Sequence, residues 1–120
     1  MNKKNSLKNS NFIIGKNSLL EEAMRVITIN HRGAVIVIDN RQRVIGVVGD
    51  GDIRRALLKG AIMSTPVINI MNPEVKKITL KDKEIFSSPK KFFGENRGIN
   101  ILPVVDKENK LIDLLVWESS

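Results

Sequence analysis

The sequence predicts a mixed α/β (α+β) fold made of two small, pseudo-symmetric units that pack against each other as an intramolecular pair. Two short apolar runs rich in branched residues, residues 33–38 and 100–105, are each followed by a five-residue polar turn and a second apolar run. Placing Asp106 on Asp39, a shift of 67 residues, superposes strand, turn and strand of both copies. Because a lone hairpin cannot bury its apolar face, we expect the two units to cover each other.

The first unit is expected over residues 12–68, after a polar stretch, residues 1–11, that we expect to be a disordered head. Apolar residues then recur at helical spacing, which predicts a helix over residues 19–29. Ser18 and Glu21 have the spacing of a capping box, in which the serine hydroxyl and the glutamate carboxylate each accept a hydrogen bond from a backbone amide. This unit therefore begins with a strand near Phe12 and a capped amphipathic helix.

The hairpin of the first unit is completed by a second predicted strand, residues 44–48. The next helical segment is opened by Asp50 and Asp52, runs over residues 53–59 and stops at Gly60. Each predicted unit thus has the order strand, helix, strand, strand, and the first unit adds a closing helix, which gives a β-α-β-β-α pattern.

The second unit is expected over residues 69–120 and departs from the first at its helix. Residues 78–80 fall near the first strand of the first unit. A Ser-Ser-Pro run interrupts the next segment, which predicts a loose turn over residues 82–87 and a short helix over residues 89–95. A last strand is predicted over residues 111–116, and the chain ends before a closing helix, so this unit is expected to be truncated. The predicted core residues of the pair are Val35, Val37, Val47, Leu102, Val104 and Leu114.

The composition excludes most catalytic and metal chemistry for these residues. The chain has no cysteine and a single histidine, His31, which excludes zinc–thiolate sites, iron–sulfur clusters and cysteine nucleophiles. The glycines do not form a G-x-G-x-x-G motif or a phosphate-binding loop, and Asp50 with Asp52 offers too few oxygen ligands for Mg²⁺. No apolar run is long enough for a membrane span or a secretory signal. We therefore expect a cytoplasmic module without catalytic residues or a metal site.

The net charge of +7 raises the hypothesis of a basic nucleic-acid-binding domain. The lysines are divided between the polar head and a later segment, and aromatic residues are only 4% of the chain, too few for a base-stacking platform. Solvated lysines explain this charge more simply than nucleic-acid binding does. We keep nucleic acid as the least favoured partner.

Two segments carry a resemblance to a known family. The run GINILPVVD, residues 98–106, and the run VVGDGDIRRALLKG, residues 47–60, resemble the motifs of CBS domains, which occur in pairs called Bateman modules. The resemblance covers about residues 12–118. The second run is most similar to the CBS pair that precedes a sugar-nucleotide pyrophosphorylase (nucleotidyltransferase) domain. Those proteins have threonine before DGDIRR, where this chain has Gly49.

The resemblance implies an adenosine nucleotide site in the cleft between the units. It implies that Asp52 accepts hydrogen bonds from both ribose hydroxyls; from the residues alone, Asp52 or Asp50 could equally cap the helix. One of Arg54 and Arg55 would face a phosphate, although either could be a solvated side chain. Gly49 contributes no hydroxyl, which lowers the expected affinity about fivefold.

The base would be bordered by three short segments that the resemblance selects. These are Gly33 with Ala34, Gly98 with Ile99, and Thr65 with Pro66; without the resemblance they are interpreted as tight turns and a linker. In the second unit Ser119 stands where the carboxylate would be. We therefore expect at most one site of this kind.

The leading hypothesis is a regulatory module that binds AMP, ADP or ATP, requires no cofactor, and controls an attached nucleotidyltransferase whose active site would lie beyond Ser120. The first alternative is a CBS-like pair that binds nothing and serves as a dimerisation element. The resemblance implies a C₂ homodimer in both cases, since paired CBS modules commonly stack into flat dimers. The apolar residues beside the linker and at the far end of the second unit could form its interface. The residues of this expected patch are Leu57, Leu58, Ile62, Met63 and Trp117.

Overall fold

The computed structural model describes residues 11–117 of the 120-residue chain. The elements in order are β1 (Ile13–Gly15), α1 (Leu20–Asn30), β2 (Ala34–Ile38), β3 (Val44–Gly49), α2 (Asp50–Leu58), a 3₁₀ turn (Val67–Asn69), α3 (Lys83–Ser87), α4 (Pro89–Glu95), β4 (Ile101–Val105) and β5 (Leu111–Val116). They form one three-stranded sheet, in the order β1-β2-β3, and one two-stranded sheet, β4-β5. The α+β fold of two similar units is confirmed.

Helix α1 forms where the apolar spacing predicts it, but the predicted capping box is wrong. The residue before the helix is Leu19, and the Ser18 hydroxyl donates to a carboxylate oxygen of Glu22 at 3.0 Å. The first helical amides are bound instead by the linker that follows α2: Leu20 N donates to Thr65 O at 2.8 Å. Carbonyls from a distant segment therefore satisfy the amides for which the sequence predicts a side-chain partner.

The two hairpins repeat each other in detail at the predicted shift. Strand β2 pairs antiparallel with β3, and β4 pairs with β5, and both pairs have a register irregularity at the same place, Val37/Ile38 and Val104/Val105. In the turns, the carboxylate oxygen Oδ1 of Asp39 accepts from two backbone amides, and so does that of Asp106. The two hairpins therefore repeat each other in backbone geometry as well as in residue type.

The shift that relates the two units is different for the strand that precedes each hairpin. Strand β1 pairs parallel with β2, so that Ile14 lies opposite Val37. In the second unit Ile78 forms an isolated parallel bridge to Val104, the counterpart of Val37. Ile78 therefore matches Ile14, and both are buried. The shift there is 64 residues rather than 67, because the connecting segment of the second unit is three residues longer.

That longer segment contains two short helices. The predicted helix over residues 89–95 is confirmed as α4, with Pro89 in its first turn. The loose turn predicted over residues 82–87 is wrong, because this segment forms α3. Phe86 and Ile85 pack against the core of the second unit, and this burial explains the helix.

The units meet at a seam made by both hairpins, which confirms the intramolecular pair. Val44 N donates to Asn109 O at 3.0 Å, and Leu111 N donates to Gln42 O at 2.9 Å, two symmetric bonds across the seam. An apolar cluster shared by the units lies beside them, formed by Ile36, Val44, Ile101, Val105 and Leu111. Of the predicted core residues, Val35, Val37, Leu102 and Val104 are fully buried, whereas Val47 and Leu114 are partly buried against this cluster.

The beginning of the described chain belongs to the first unit. Asn11, which the sequence predicts to be in the polar head, accepts a hydrogen bond from the Asn30 side chain at 2.9 Å through its carbonyl. The rest of that predicted head, residues 1–10, lies outside the described residues. Within residues 11–117, no helix combines the length and the apolar character that crossing a bilayer requires.

Candidate functional site

The candidate site is centred on the point where β3 ends and α2 begins. Gly49 is the last residue of β3 and precedes the first helical turn, which contains Asp50 and Asp52. The Asp52 oxygen Oδ2 accepts a hydrogen bond from Gly49 N at 2.9 Å. This is the carboxylate half of a capping box, and the other half cannot form because glycine has no side chain. Both carboxylates also complement the positive end of the helix dipole.

The second oxygen of Asp52 is held by an arginine one helical turn later. Arg55 Nη2 donates to Asp52 Oδ1 at 2.9 Å, an ion pair in which the arginine side chain is 65% exposed and the aspartate 19%. Arg54, the preceding residue on the helix, is exposed and points to a different face. Asp52 is therefore mostly shielded by the protein, whereas both arginines reach solvent.

The start of β2 lies directly beside this turn. Asp50 N donates to Gly33 O at 3.0 Å, and Ala34 pairs with Gly49 across the hairpin. Gly33 has φ of +75°, and a Cβ there would lie 3.4 Å from a carboxylate oxygen of Asp50. Glycine is required here because the backbone is left-handed and passes close to Asp50. The structure thus brings five predicted site residues to one edge: Gly33, Ala34, Gly49, Asp50 and Asp52.

The second unit reaches the same edge through Asn100. Its side-chain amide Nδ2 donates to Arg32 O at 3.0 Å, immediately before Gly33. This bond places the segment of Gly98 and Ile99 next to the start of β2. Gly98 is exposed with φ of +95°, and Ile99 packs against the core of the second unit. The edge is therefore built from both units, as the resemblance implied.

Asn30 is a positioning residue that the sequence analysis missed. It is buried at the end of α1, where Nδ2 donates to Asn11 O and Ala34 O, both at 2.9 Å, and Oδ1 accepts from Arg32 N at 2.7 Å. The sequence did contain one signal for this role: Asn30 follows Ile27 by three residues, which places its amide side chain on the buried face of the helix. Asn30 fixes the turn from which Gly33 enters the site.

Arg32 adds a third guanidinium close to the site. Its Nη1 lies 3.4 Å from the carbonyl oxygens of Asn30 and His31, and its Nε is buried with no hydrogen-bond partner within residues 11–117. His31 is exposed in a left-handed conformation that ends α1. The charges around the edge are thus two carboxylates and three guanidinium groups, a balance that favours an anionic ligand over a cation.

Thr65 and Pro66 are not brought to this edge. Thr65 O binds the amide at the start of α1, whereas Gly33 follows the end of that helix, and an eleven-residue helix is roughly 16 Å long. The Thr65 hydroxyl accepts from Ile62 N at 2.9 Å, a local turn contact. Of the predicted site residues, these two have a structural role in the linker.

A separate cleft of about 440 Å³ lies in the second unit. It borders the packing of Phe93 on Trp117, whose ring centroids are 5.7 Å apart, and it contains no carboxylate. Trp117 therefore packs inside the second unit and does not extend the patch expected beside the linker. Ser119, the predicted counterpart of Asp52, lies outside the described residues. Within residues 11–117 there is no cluster of three histidine or carboxylate side chains that would hold a metal.

Comparison with known proteins agrees with this architecture. Residues 7–59 match the family model of the CBS domain. The arabinose 5-phosphate isomerase GutQ of Escherichia coli K12 is 37% identical over 90 residues, which are 75% of this chain and 27% of that protein. An uncharacterized Helicobacter pylori J99 protein is 27% identical over 103 residues, 86% of this chain and 31% of its own length. The chain thus spans less than a third of these relatives.

Solved structures have the same fold at low identity. OpuCA of Staphylococcus aureus superposes with a TM-score of 0.67 at 17% identity, over 88% of this chain and 84% of that chain. A CBS domain protein of Pyrobaculum aerophilum, complexed with AMP, gives 0.65 at 20% identity, over 97% and 87% of the two chains. Residues 7–59 of this chain therefore belong to the CBS domain family, and the two units together have the fold of a CBS-domain pair.

Proposed function

We propose that this chain is a regulatory module that binds one adenosine nucleotide at the edge shared by its two units. CBS domains are regulatory, and the described residues contain no group of three histidine or carboxylate side chains that could hold a metal ion. The observation that carries the proposal is the position of the Asp52 carboxylate at the turn beside the start of β2, the same strand start to which Asn100 of the second unit is bound through Arg32 O. The neighbour that is complexed with AMP supports an adenosine ligand.

Each side chain has a chemical role in this proposal. A carboxylate is an acceptor with about four lone-pair positions, so Asp52 can keep its bond to Gly49 N and still accept from ribose hydroxyls. One of Arg54 and Arg55 binds the phosphate, and Gly33 with Ile99 borders the base. Thr65 and Pro66 are omitted because of their place at the other end of α1. Affinity is modest, since Gly49 donates no side-chain hydrogen bond.

The regulated enzyme is proposed to act on a sugar phosphate or a sugar nucleotide. The sequence resemblance favours an attached nucleotidyltransferase, whereas the relative at 37% identity is named a sugar-phosphate isomerase. Both of these enzyme classes act on sugar phosphates. We therefore propose that the regulated enzyme uses a sugar phosphate, and that a nucleotidyltransferase is the first candidate for it. The module would work in the cytoplasm as a homodimer, and the absence of cysteine is compatible with that compartment.

The proposal is tested by titrating AMP, ADP and ATP calorimetrically into the wild type, Asp52→Ala and Asp52→Asn. The alanine variant loses a charge-assisted contact worth about 1.5–3 kcal/mol and should bind roughly 10- to 150-fold more weakly. The asparagine variant keeps an acceptor for Gly49 N, so it separates a binding loss from a helix-cap loss. Equal affinity in all three proteins would place the ligand elsewhere.

A second candidate function is a CBS-like pair that binds nothing and acts as a dimerisation element. It is favoured by one specific observation: both Asp52 oxygens already have protein partners, Gly49 N and Arg55. In that case the wild type would bind no adenosine nucleotide at millimolar concentration while remaining folded and associated. The same titration, with light scattering on the same sample, separates the two functions.

A further inference from the structure

We propose that Arg55 is a latch on the nucleotide site, which a phosphate group opens and a nucleoside does not. The inference rests on the proposed function, because it concerns which adenosine compounds the Asp52 edge accepts. It assigns to Arg55, rather than Arg54, a specificity-determining role. The module would thereby respond to phosphorylated adenosine compounds and discriminate against free adenosine.

The latch follows from how the two carboxylate oxygens of Asp52 are shared between Gly49 N and Arg55. Oδ2 is bound by Gly49 N, which is a fixed backbone group at the helix start. Oδ1 is bound by Arg55 Nη2 at 2.9 Å, so the guanidinium occupies the less constrained of the two acceptor oxygens. A ribose that needs both oxygens must share or displace Arg55. A ligand without a phosphate gives the displaced guanidinium no new partner.

Arg55 is the more exposed member of the ion pair, and this leaves room for the exchange. Its side chain is 65% exposed, whereas that of Asp52 is 19% exposed, so the aspartate is held by the protein and the guanidinium faces solvent. Exposed ion pairs contribute about 0–1 kcal/mol, so the contact can be broken by a ligand of moderate affinity. A phosphate attached to the same ribose accepts the guanidinium in a bidentate manner, which a hydroxyl cannot do.

The local charge explains why the phosphate requires this arginine. Asp50 and Asp52 lie in the first turn of α2, and Arg54 and Arg55 follow in the next turn of the same helix. An incoming phosphate next to two carboxylates is repelled unless a guanidinium lies between them. Arg55 already lies at Asp52, so a short swing carries it from the carboxylate to the phosphate. The released Oδ1 then accepts the ribose.

Gly51 offers a way to loosen the latch without removing the charge. The Arg55 guanidinium lies over this residue: a Cβ at position 51 would be 3.1 Å from Nη1 and 3.5 Å from Nη2. The backbone there is ordinary helix, so alanine fits the conformation and moves only the end of a flexible side chain. Gly51→Ala should therefore shift the guanidinium off Asp52 and leave it available to a phosphate.

The experiment is calorimetric titration of adenosine and of AMP into the wild type, Arg55→Gln, Gly51→Ala and Arg54→Gln. Arg25→Gln is the matched control, because the Arg25 side chain is 66% exposed and also pairs with a carboxylate three residues away, Glu22, on α1. In Arg55→Gln, AMP affinity should fall about tenfold or more, while adenosine affinity rises up to about fivefold. In Gly51→Ala, the affinities for adenosine and for AMP should both rise by up to the same factor, because both ligands must displace Arg55 from Asp52, and their ratio should stay that of the wild type.

The outcomes distinguish this inference from the proposed function. If Arg55→Gln changes the AMP and adenosine affinities by the same factor, or if Arg54→Gln collapses their ratio instead, the latch is overturned while nucleotide binding stands. If the wild type binds neither compound at millimolar concentration, the proposed function fails and the latch fails with it. Arg25→Gln should keep the wild-type ratio within about twofold, and a larger change there would mean that net charge, not the latch, sets the selectivity.

Discussion

Gly46, in the middle of β3, is required by a close contact and not by its backbone conformation. A Cβ at this position would lie 2.5 Å from Met71 Sδ and 3.2 Å from Asn72 O. The contact exists because Asn72 forms an antiparallel bridge with Val47 through two backbone hydrogen bonds of 2.8 and 2.9 Å, so the linker lies along the outer edge of β3 here. This glycine allows the linker between the units to pair with the first sheet.

Gly46→Ala is therefore expected to lower the free energy of unfolding by about 1–3 kcal/mol, because the methionine can move but the Asn72 backbone resists. Gly94→Ala is the matched control, since Gly94 lies in α4 and a Cβ added there would meet no atom within 4 Å. That change should be neutral or stabilising by up to about 1 kcal/mol. Urea denaturation of both variants measures the difference, and equal stability would contradict the contact.

At the candidate site, the residues that could be predicted from the sequence are those close together along the chain. Gly49, Asp50 and Asp52 follow one strand and open one helix, so the chain itself brings them together. Asn100 could not be predicted, because its role is a hydrogen bond to a carbonyl 68 residues away. Asn30 offered the signal of an amide on the buried face of α1, but that signal does not name its partners. The sequence shows that Asp52 could either cap the helix or bind a ligand. The ion pair of Asp52 with Arg55 could not be predicted, because it depends on the side-chain conformations that α2 adopts in the fold.

At the level of elements, the two hairpin turns are held by equivalent aspartates. Burial opposes ionisation of Asp39, but hydrogen bonds from the Arg43 and Arg41 amides and from the Arg43 guanidinium outweigh it and lower its pKa below 3.8. The pKa of Asp106 is also lowered, chiefly by the hydrogen bond from the Lys110 amide. A carboxyl group whose pKa is lower in the folded state stabilises the protein at pH values above its unfolded pKa, and this contribution is lost as the pH falls through the folded pKa.

The turns should therefore lose their contribution as the pH falls below about 3.8. In the double variant Asp39→Asn, Asp106→Asn, the amide oxygen can still accept from the turn amides but does not titrate in this range. We expect the wild type to have the higher Tm at about pH 6 and the difference to shrink steadily between about pH 5 and about pH 2.5. Calorimetric scans across this range measure it, and a Tm difference that does not depend on pH would contradict the assignment.

The elements that were predicted wrongly share one physical cause. The hairpins and α1 follow from local periodicity, and they are found within about one residue of the predicted bounds. The capping box failed because linker carbonyls at Met63 and Thr65 reach the first amides of α1. Helix α3 was missed because its stability comes from packing on the second core, and three extra residues before β4 changed the register of Ile78. Tertiary contacts decided all three, and local pattern does not contain them.

At the scale of the whole molecule, the seam between the units has one asymmetry. Gln42 and Asn109 occupy equivalent places, both with left-handed backbones, φ of +64° and +68°. Each carbonyl accepts an amide of the other unit, but only Asn109 also donates its side-chain amide, to Val44 O at 2.8 Å. Asparagine tolerates the left-handed region better than glutamine does. The first unit therefore lacks a bond that the second unit makes.

Gln42→Asn should restore that bond and raise the free energy of unfolding by about 0.5–1.5 kcal/mol, because the shorter amide would reach Leu111 O by symmetry. The mirror variant Asn109→Gln should lower the free energy of unfolding by a similar amount. The two variants exchange the same pair of residues at equivalent positions and so serve as each other's control. A stability change of the same sign in both would contradict the pseudo-symmetric seam, and chemical denaturation gives the sign directly.

A patch of exposed apolar side chains remains beside the first unit once both cores are closed. This linker patch consists of Leu19, Leu57, Leu58, Ile62 and Met63. Its members come together because Met63 O accepts from Glu21 N and Leu19 pairs with Pro66, so the linker lies over the start of α1 and beside the end of α2. Contiguous apolar surface of this kind is typical of an interaction site.

We expect two copies to associate through the linker patch about a C₂ axis, because one patch can then cover the other. Leu58 and Ile62 are 82% and 63% exposed, so Leu58→Glu with Ile62→Glu should leave the fold nearly unchanged in stability, within about 0.5 kcal/mol for each change, and abolish association. Leu80→Glu is the matched control, because Leu80 is 64% exposed but lies in the second unit. Light scattering at high micromolar concentration should give twice the 13.5 kDa chain mass for the wild type and the control, and 13.5 kDa for the double variant. A wild type that scatters as a single chain would show that the patch serves another partner or none.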